Sequence, residues 1–266
     1  MISSNENPYT ITAVERTIAI LSALERTGSM RLIDVARDAG LSEPTSFRYL
    51  ATLVEHRIVD REPDGTYRLG LRLFALGQGA VGQRDVRKVA LPHMERLLET
   101  FQETVNLAIR RGDDLMLVEV VESQRSIRKG ASIGDMDLWH CSGLGKAVMA
   151  LLSEADAREI LARRGTAAFT ERTLSSVDDV MADLELVRER DYAVDDEEAE
   201  AGLRCIAAAI RDRHGAPLYA LSVSGPAARI EPDSFPEIGA QIASAAAAIS
   251  RALGYEGHVF GAPLNV

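Results

Sequence analysis

The tightest constraint on this chain sits at Gly40-Leu41-Ser42, where two helical segments meet with almost no loop between them. The upstream segment carries Leu32, Val35 and Ala36 and ends at Gly40. The downstream one, "LSEPTSFRYLATLVEHR", opens on Ser42, a good N-cap, with Glu43 and Pro44 in a first turn that tolerates both. Phe47, Leu50 and Val54 are expected to form its buried stripe. Two helices joined by a turn this short, with a glycine in it, must cross steeply. A capped helix is predicted over residues 11–28. Thr12 and Glu15 make a capping box, Ile11, Val14, Ile18, Leu21 and Leu24 keep near-helical spacing, and Gly28 marks the stop. After the third helix, "IVDREPDGTYRLG" alternates around Pro63-Asp64-Gly65 and reads as a β-hairpin. Three short helices and a hairpin give a winged helix-turn-helix.

Such a domain presents its third helix to the DNA major groove, N-terminal end first. The outward positions are expected to be Thr45, Ser46, Arg48, Tyr49 and Thr52, with Arg61 and Arg68 on the wing strands. Hydroxyls there suit phosphates and base edges, and an Arg can grip guanine with two bonds. The net charge of −10 argues against non-specific nucleic-acid binding by the whole chain. Residues 1–72 hold nine basic and ten acidic side chains, so the domain is not globally basic. The acids fall largely outside the third helix, where Arg48, His56 and Arg57 stand against Glu43 and Glu55. Winged domains of this pattern also bind proteins, so both readings stand at this point.

The run "LRLFALGQGAVGQ" carries three glycines near its end and reads as a linker helix that loosens. The expected organisation is a DNA-binding domain over residues 1–72, a linker over 73–88 and a second domain over 89–256. That second domain begins with an amphipathic helix (Val89, Met94, Leu97, Leu98, Phe101) and strands at Val105–Ile109 and Leu115–Val121 around Gly112-Asp113-Asp114. A closing hairpin at Leu203–Ser224 and an Ala-rich helix at Ile238–Leu253 complete an antiparallel sheet flanked by helices, an α+β domain. "VDDEEAEAG" reads as a solvated acidic turn or helix start. No apolar run is long enough to span a bilayer. "MISSNENPYT" has neither the basic nor the apolar region of a secretion signal. Two cysteines make no disulfide framework, and a reducing cytoplasm is the expected setting.

The closing hairpin has an oddity. By strand parity Leu203, Cys205, Ala207 and Ala209 share one face, and Leu218, Ala220, Ser222 and Ser224 share the same face of its partner. A thiol and two hydroxyls thus stand where Val and Ile are expected. Hydroxyls grouped this way orient a small polar ligand. The plainer reading is a Cys acting as a small hydrophobe and serines bonded to nearby backbone.

Two longer stretches, "WHCSGLGKAVMALLS" and "YAVDDEEAEAGLRCIAAAIRDRHGAPLYALSVSGPAARI", resemble the IclR-type bacterial transcriptional regulators, named after the isocitrate lyase regulator. The resemblance covers nearly the whole chain. It implies an N-terminal winged helix on double-stranded operator DNA, and a C-terminal GAF-like domain that binds a small metabolite. It also implies assembly as a homodimer or homotetramer. The acidity then sits mainly in the second half, where residues 73–266 hold 21 basic and 30 acidic side chains.

The resemblance places effector contacts at Asp195, Leu203, Cys205, Ser222 and Ser224, with the backbone around Gly143 and Leu144. The residues suit that role. Gly143-Leu144-Gly145 would open a helix containing Ala147–Leu152, whose N–H groups favour a carboxylate. An ionised Asp195 would accept a bond from a hydroxyl or hydrated carbonyl at the ligand's other end. Four positions depart from the pattern. Ser126, Lys129 and Asp137 align where the resembled regulators have apolar pocket walls, and Leu144 is larger than the small residue of the pattern. Trp139 has two readings, a cover for an aromatic or sugar-acid ligand or one more core aromatic. The expected effector is a small carboxylic acid, a hydroxy- or oxo-acid first and an aromatic acid second.

Two rival readings remain. For an enzyme, "SGLGKA" lacks the phosphate-loop pattern, since Ala147 stands where a hydroxyl would hold Mg²⁺. No nucleophile elbow of a hydrolase is read into the chain. His140, Cys141, Cys205 and His214 lack close metal-ligand spacing, so no cofactor or metal is expected, with a structural zinc the one metal reading kept open. The other rival is a sensor that acts through a protein partner.

Overall fold

The computed structural model describes residues 10–81 and 86–257. The chain divides into two compact units, Met1–Gln83 and Arg84–Val266. Residues 82–85, within the stretch read as a linker, lie outside the described residues.

The first unit runs α1 (Thr12–Thr27), α2 (Leu32–Asp38), α3 (Glu43–Glu55), β1 (Val59–Arg61), β2 (Tyr67–Leu69) and α4 (Leu71–Val81). Its core gathers Ile20, Leu24, Val35, Leu50, Leu53, Val59 and Tyr67. Gly40 holds φ +66°, a left-handed conformation that a Cβ disfavours, and this turns the chain sharply from α2 into α3. The Leu41 N–H closes the turn on the Ala36 carbonyl at 2.8 Å. Ser42 caps α3, its hydroxyl accepting from the Thr45 N–H. The wing pairs Val59 with Leu69 and Arg61 with Tyr67.

Two expectations need correcting here. The capping box at Thr12 does not form. Ile11 occupies the N-cap, and its carbonyl takes the first helical bonds from Val14 and Glu15, so Thr12 is already inside the helix. The buried stripe of α3 is Ser46, Leu50 and Leu53, with Val54 only half-buried. Phe47 is 48% exposed and Ser46 0%. One residue of rotation is about 100° on a helix, enough to swap these two. Ser46 therefore leaves the set of outward positions.

The second unit runs α5 (Val86–Phe101), β3 (Thr104–Arg111), β4 (Asp114–Val121), α6 (Gly143–Ala150), α7 (Glu154–Arg164), α8 (Val177–Arg190), β5 (Ala193–Asp196), β6 (Leu203–Arg211), β7 (Pro217–Pro226) and α9 (Phe235–Ala252). The five strands form one antiparallel sheet in the order β4-β3-β7-β6-β5. The acidic stretch is thus not a solvated turn at its start. Ala193–Asp196 pairs with β6 as the edge strand of the sheet, and its Val194 packs in the core.

Helices cover both faces of the sheet. On one face Leu107, Ile206, Leu221 and Val223 pack with Met94 of α5 and Ile242 of α9. Fully burying each such side chain stabilises the fold by about 1.5–3 kcal/mol. The other face is built from small residues, Ala108, Ala207 and Ala220, against Val148, Leu161 and Leu184 of α6, α7 and α8. Small side chains let α6 lie close to the sheet, and that proximity forms the site described next. No helix among the described residues is long and apolar enough to cross a membrane.

Candidate functional site

The first unit offers a surface along the outer side of α3. Arg48 is exposed there and makes no ion pair among the described residues. Thr52 is exposed, its hydroxyl donating to the Arg48 carbonyl at 3.1 Å. Thr45 bonds its hydroxyl to that of Ser42 at 2.8 Å, and Tyr49 is half-buried against the core. On the wing, Arg61 lies over the Tyr67 ring, while Arg68 is held by Glu62 at 2.6 Å. Phe47, read as core, joins this outer face.

The second unit offers a cavity. Strand register sets Thr104, Ser224, Cys205 and Asp195 in one row across β3, β7, β6 and β5. The next row reads Asn106, Ser222, Ala207 and Ala193. The hairpin's thiol and hydroxyls therefore belong to a polar band across four strands. Above it, the start of α6 and the loop before it close a cavity of about 160 Å³. Leu144, Asp195, Leu203, Cys205, Ser224, Lys129 and Asp137 all stand on its wall. Gly143 lies beside it, where an added Cβ would press on the Cys205 sulfur and the Ala207 Cβ. Glycine at that point lets the helix start rest directly on the polar band.

Two expected contacts fall elsewhere, and of the two readings of Trp139 the core one holds. Ser126 is exposed on an irregular segment, and that loop reaches the cavity through Lys129, Gly130 and Ala131. Ser222 is fully buried and does not line the cavity, although its row partner Asn106 does. Trp139 belongs to the core, its indole N–H donating to the Asp113 carbonyl at 2.9 Å. The helix start is also less open than expected. Ser142 is its N-cap and already accepts the Gly145 N–H at 2.9 Å, leaving the first-turn donors of Gly143 and Leu144.

Asn106, Ser142 and Glu200 line the cavity too and were not foreseen. Asn106 Nδ2 donates to the hydroxyl oxygens of both Ser222 and Ser224 at 3.3 Å. Glu200 pairs with Lys129 at 3.3 Å. Behind the wall, Lys146 is 0% exposed and meets Glu198 at 2.5 Å and Asp183 at 2.9 Å. Glu198 in turn donates its N–H to Asp195 Oδ1 at 2.8 Å, which ties the buried ions to the cavity wall. Between them Glu197 sits at φ +63°, a conformation that costs a non-glycine residue of order 1–3 kcal/mol. Arg204 holds it there through Asp196 and Glu197 at 2.6 and 3.1 Å.

Residues 13–63 match the IclR helix-turn-helix domain, and residues 78–251 match the bacterial transcriptional regulator IclR C-terminal domain. The chain belongs to the IclR family. Among its relatives is the HTH-type transcriptional repressor AllR of Escherichia coli (strain UTI89 / UPEC), 38% identical over 93% of this chain and 92% of that protein. The AllR repressor of Salmonella paratyphi A is 39% identical over 91% of this chain and 90% of its own length. The crystal structure of the Thermotoga maritima IclR has a TM-score of 0.80 at 27% identity, covering 91% of this chain and 98% of that one. An IclR protein is a DNA-binding transcriptional regulator with a C-terminal effector domain, and on that ground the enzyme reading is set aside. The G-x-S-x-G spacing of a hydrolase is in fact present, at Gly130-Ala131-Ser132-Ile133-Gly134. It lies in an irregular loop with Ser132 exposed, and not at a strand-to-helix turn, so it forms no nucleophile elbow.

The IclR cavity has unusual acid chemistry. Burial pushes the Asp195 carboxyl up to about 7, against the opposing bonds from the Glu198 and Ala199 N–H groups. Burial likewise raises Asp137 to about 6. Desolvation, then the nearby Asp195, push the Cys205 thiol up to about 12, so it stays neutral. An anion entering the cavity meets these carboxyls more easily when they are protonated. Binding of a small acid such as glycolate should therefore tighten as pH falls from 8 through 7 to 6, by up to about tenfold per proton taken up per pH unit. Calorimetric titrations at those pH values test this, and flat or weakening affinity would contradict it.

Proposed function

We propose that the protein regulates transcription by binding operator duplex through α3 and the β1–β2 wing, under control of a small carboxylic acid held in the cavity. In this reading residues 1–72 contact DNA, 73–88 link and 89–256 hold the effector. The observation that carries it is the polar band of Ser224, Cys205 and Asp195 beneath the start of α6, because it joins hydroxyl and backbone donors to carboxyls that burial keeps near neutrality. Such a site accepts an acid bearing a hydroxyl or oxo group. With Trp139 in the core, no aromatic side chain among the described residues stands on the wall, so Trp139 lends the aromatic acid no support. The AllR relatives are named repressors, which favours repression here. A cytoplasmic setting fits a regulator that must reach DNA.

The test is a gel shift on the intergenic region upstream of its own gene, with and without acids chosen by thermal-shift screening, since a bound ligand raises the melting temperature by mass action. Retention of the DNA by no concentration of protein would reject operator binding. Arg48→Ala should cost about 1–3 kcal/mol of specific binding and relax preference at one base pair. Full discrimination by the variant would show that α3 reads bases through other side chains.

A short half-site gains specificity when two copies bind together. Phe74 and Leu76 of α4 are exposed in the single chain, which supports their burial between copies in a homodimer or homotetramer. Val81, at the end of α4, would belong to the same contact, and its side chain lies outside the described ones. Light scattering at micromolar concentration should give a dimer or tetramer, and a strict monomer would refute the assembly.

A further inference from the structure

Phe47 is 48% exposed on the outer face of α3, where it stands in an apolar row with the exposed Pro44 and Ala51 at helical spacing. Packing does not need the ring there. The core of the first unit takes Leu50 and Leu53 from this helix and does not include Phe47. A phenyl ring left in water forgoes the gain of burial. Its neighbours on the face are polar. Arg48 is exposed with no ion pair among the described residues, and the hydroxyls of Thr45 and Thr52 are turned back on Ser42 and on the Arg48 carbonyl.

The place of the ring in the fold says what would cover it. In a helix-turn-helix the second helix of the turn enters the DNA major groove, N-terminal end first. α3 holds that place after the Gly40 turn, within the stretch that matches the IclR helix-turn-helix domain, and Phe47 lies in its N-terminal half. The apolar group that a base pair presents in that groove is the C5-methyl of thymine.

We propose that Phe47 reads a base: its ring packs on a thymine C5-methyl, so the operator carries a required thymine that no hydrogen bond selects. This rests on the reading of α3 as the operator-binding helix and adds an apolar contact to the polar one assigned to Arg48. Ala51, one turn further along the row, is small enough to let the helix lie close to the bases.

The probe is a duplex from the region upstream of the protein's own gene, trimmed to the stretch that the full-length protein protects. Each thymine is replaced in turn by deoxyuridine, which keeps every hydrogen-bonding group and lacks only the methyl. The wild type should lose about fourfold in affinity at one thymine or more, the gain from burying a single methyl. Phe47→Ala should bring the thymine-to-uracil ratio at that position close to one, whereas Phe47→Leu, still apolar, should keep part of it. The slope of affinity against salt should not change in either variant, since the ring neutralises no phosphate. The ratio is internal to each variant, so a smaller folded fraction does not mimic the effect. If Phe47→Ala does not fold, Phe47→Gln reads the same ratio. A ratio that survives in Phe47→Ala, or a wild type indifferent to every uracil, overturns the base reading and leaves operator binding standing. So does a Phe47→Ala protein that light scattering shows as monomers beside an oligomeric wild type, because the ring is then covered by a second copy. Failure of the wild type to retain the DNA at all overturns both.

Discussion

Lys146→Met should destabilise the second unit by about 3–5 kcal/mol, because removing one partner of a buried ion cluster leaves the other charges uncompensated. Lys146 is fully buried, and both its neighbours are carboxylates. Although burial alone would pull the ammonium toward neutrality, Glu198 and Asp183 outweigh it and hold Lys146 charged. Asp183 keeps a weaker contact with Arg190 at 3.7 Å, whereas Glu198 meets no other cation among the described residues. The charge-balanced pair Lys146→Met with Glu198→Gln should therefore recover most of the loss. For a unit of this size the single change corresponds to a melting-temperature drop of roughly 6–20 °C. Denaturant titration of wild type, single and double variants is the measurement. A single-variant loss below about 1 kcal/mol, or a double variant no better than the single, would mean that the cluster contributes little to folding.

Ser222→Ala together with Ser224→Ala should weaken the best-binding acid by at least tenfold. Hydrogen bonds to a charged group contribute about 1.5–3 kcal/mol each, and 1.4 kcal/mol is tenfold in affinity. Only Ser224 is on the wall, so Ser224→Ala alone should carry most of the loss. Ser222→Ala should act more weakly, by loosening the Asn106 amide. Titration of the best thermal-shift hit into the three variants separates these contributions. Unchanged affinity in the double variant would leave the serines as ordinary strand residues.

What the sequence revealed follows its short-range regularities. Strand parity put Cys205, Ser222 and Ser224 on one face, and the register bears this out because a period of two survives along a paired strand. The turn at Gly40 was legible because it needs a positive φ. The α3 face was misjudged because apolar character was taken for burial. Phe47 is exposed while the smaller, polar Ser46 fills the inner position. The strand at Ala193–Asp196 was hidden by its charges, since Ala193 and Val194 enter the apolar cores on the two faces while the acidic Asp195 faces the cavity. Asn106 and Lys146 escaped notice for a different reason. Their partners are 116 and 52 residues away along the chain, and no local pattern records such a meeting.

The position of β7 has a consequence for how the protein is made. Among the described residues β7 is the last strand to leave the ribosome, yet it sits between β3 and β6 and alone joins them. Until it emerges, the β3–β4 hairpin and the β5–β6 pair are separate pieces, each with an open edge that invites mispairing. The cavity is divided in the same way, with Asn106 on one piece and Asp195 and Cys205 on the other. A chain cut short before Pro217 keeps every residue of the first unit and lacks Ser224 of the cavity wall together with the strand that joins the cavity's two parts. Metabolic control is thus the last property this regulator acquires during its synthesis, and the first that a premature stop codon removes.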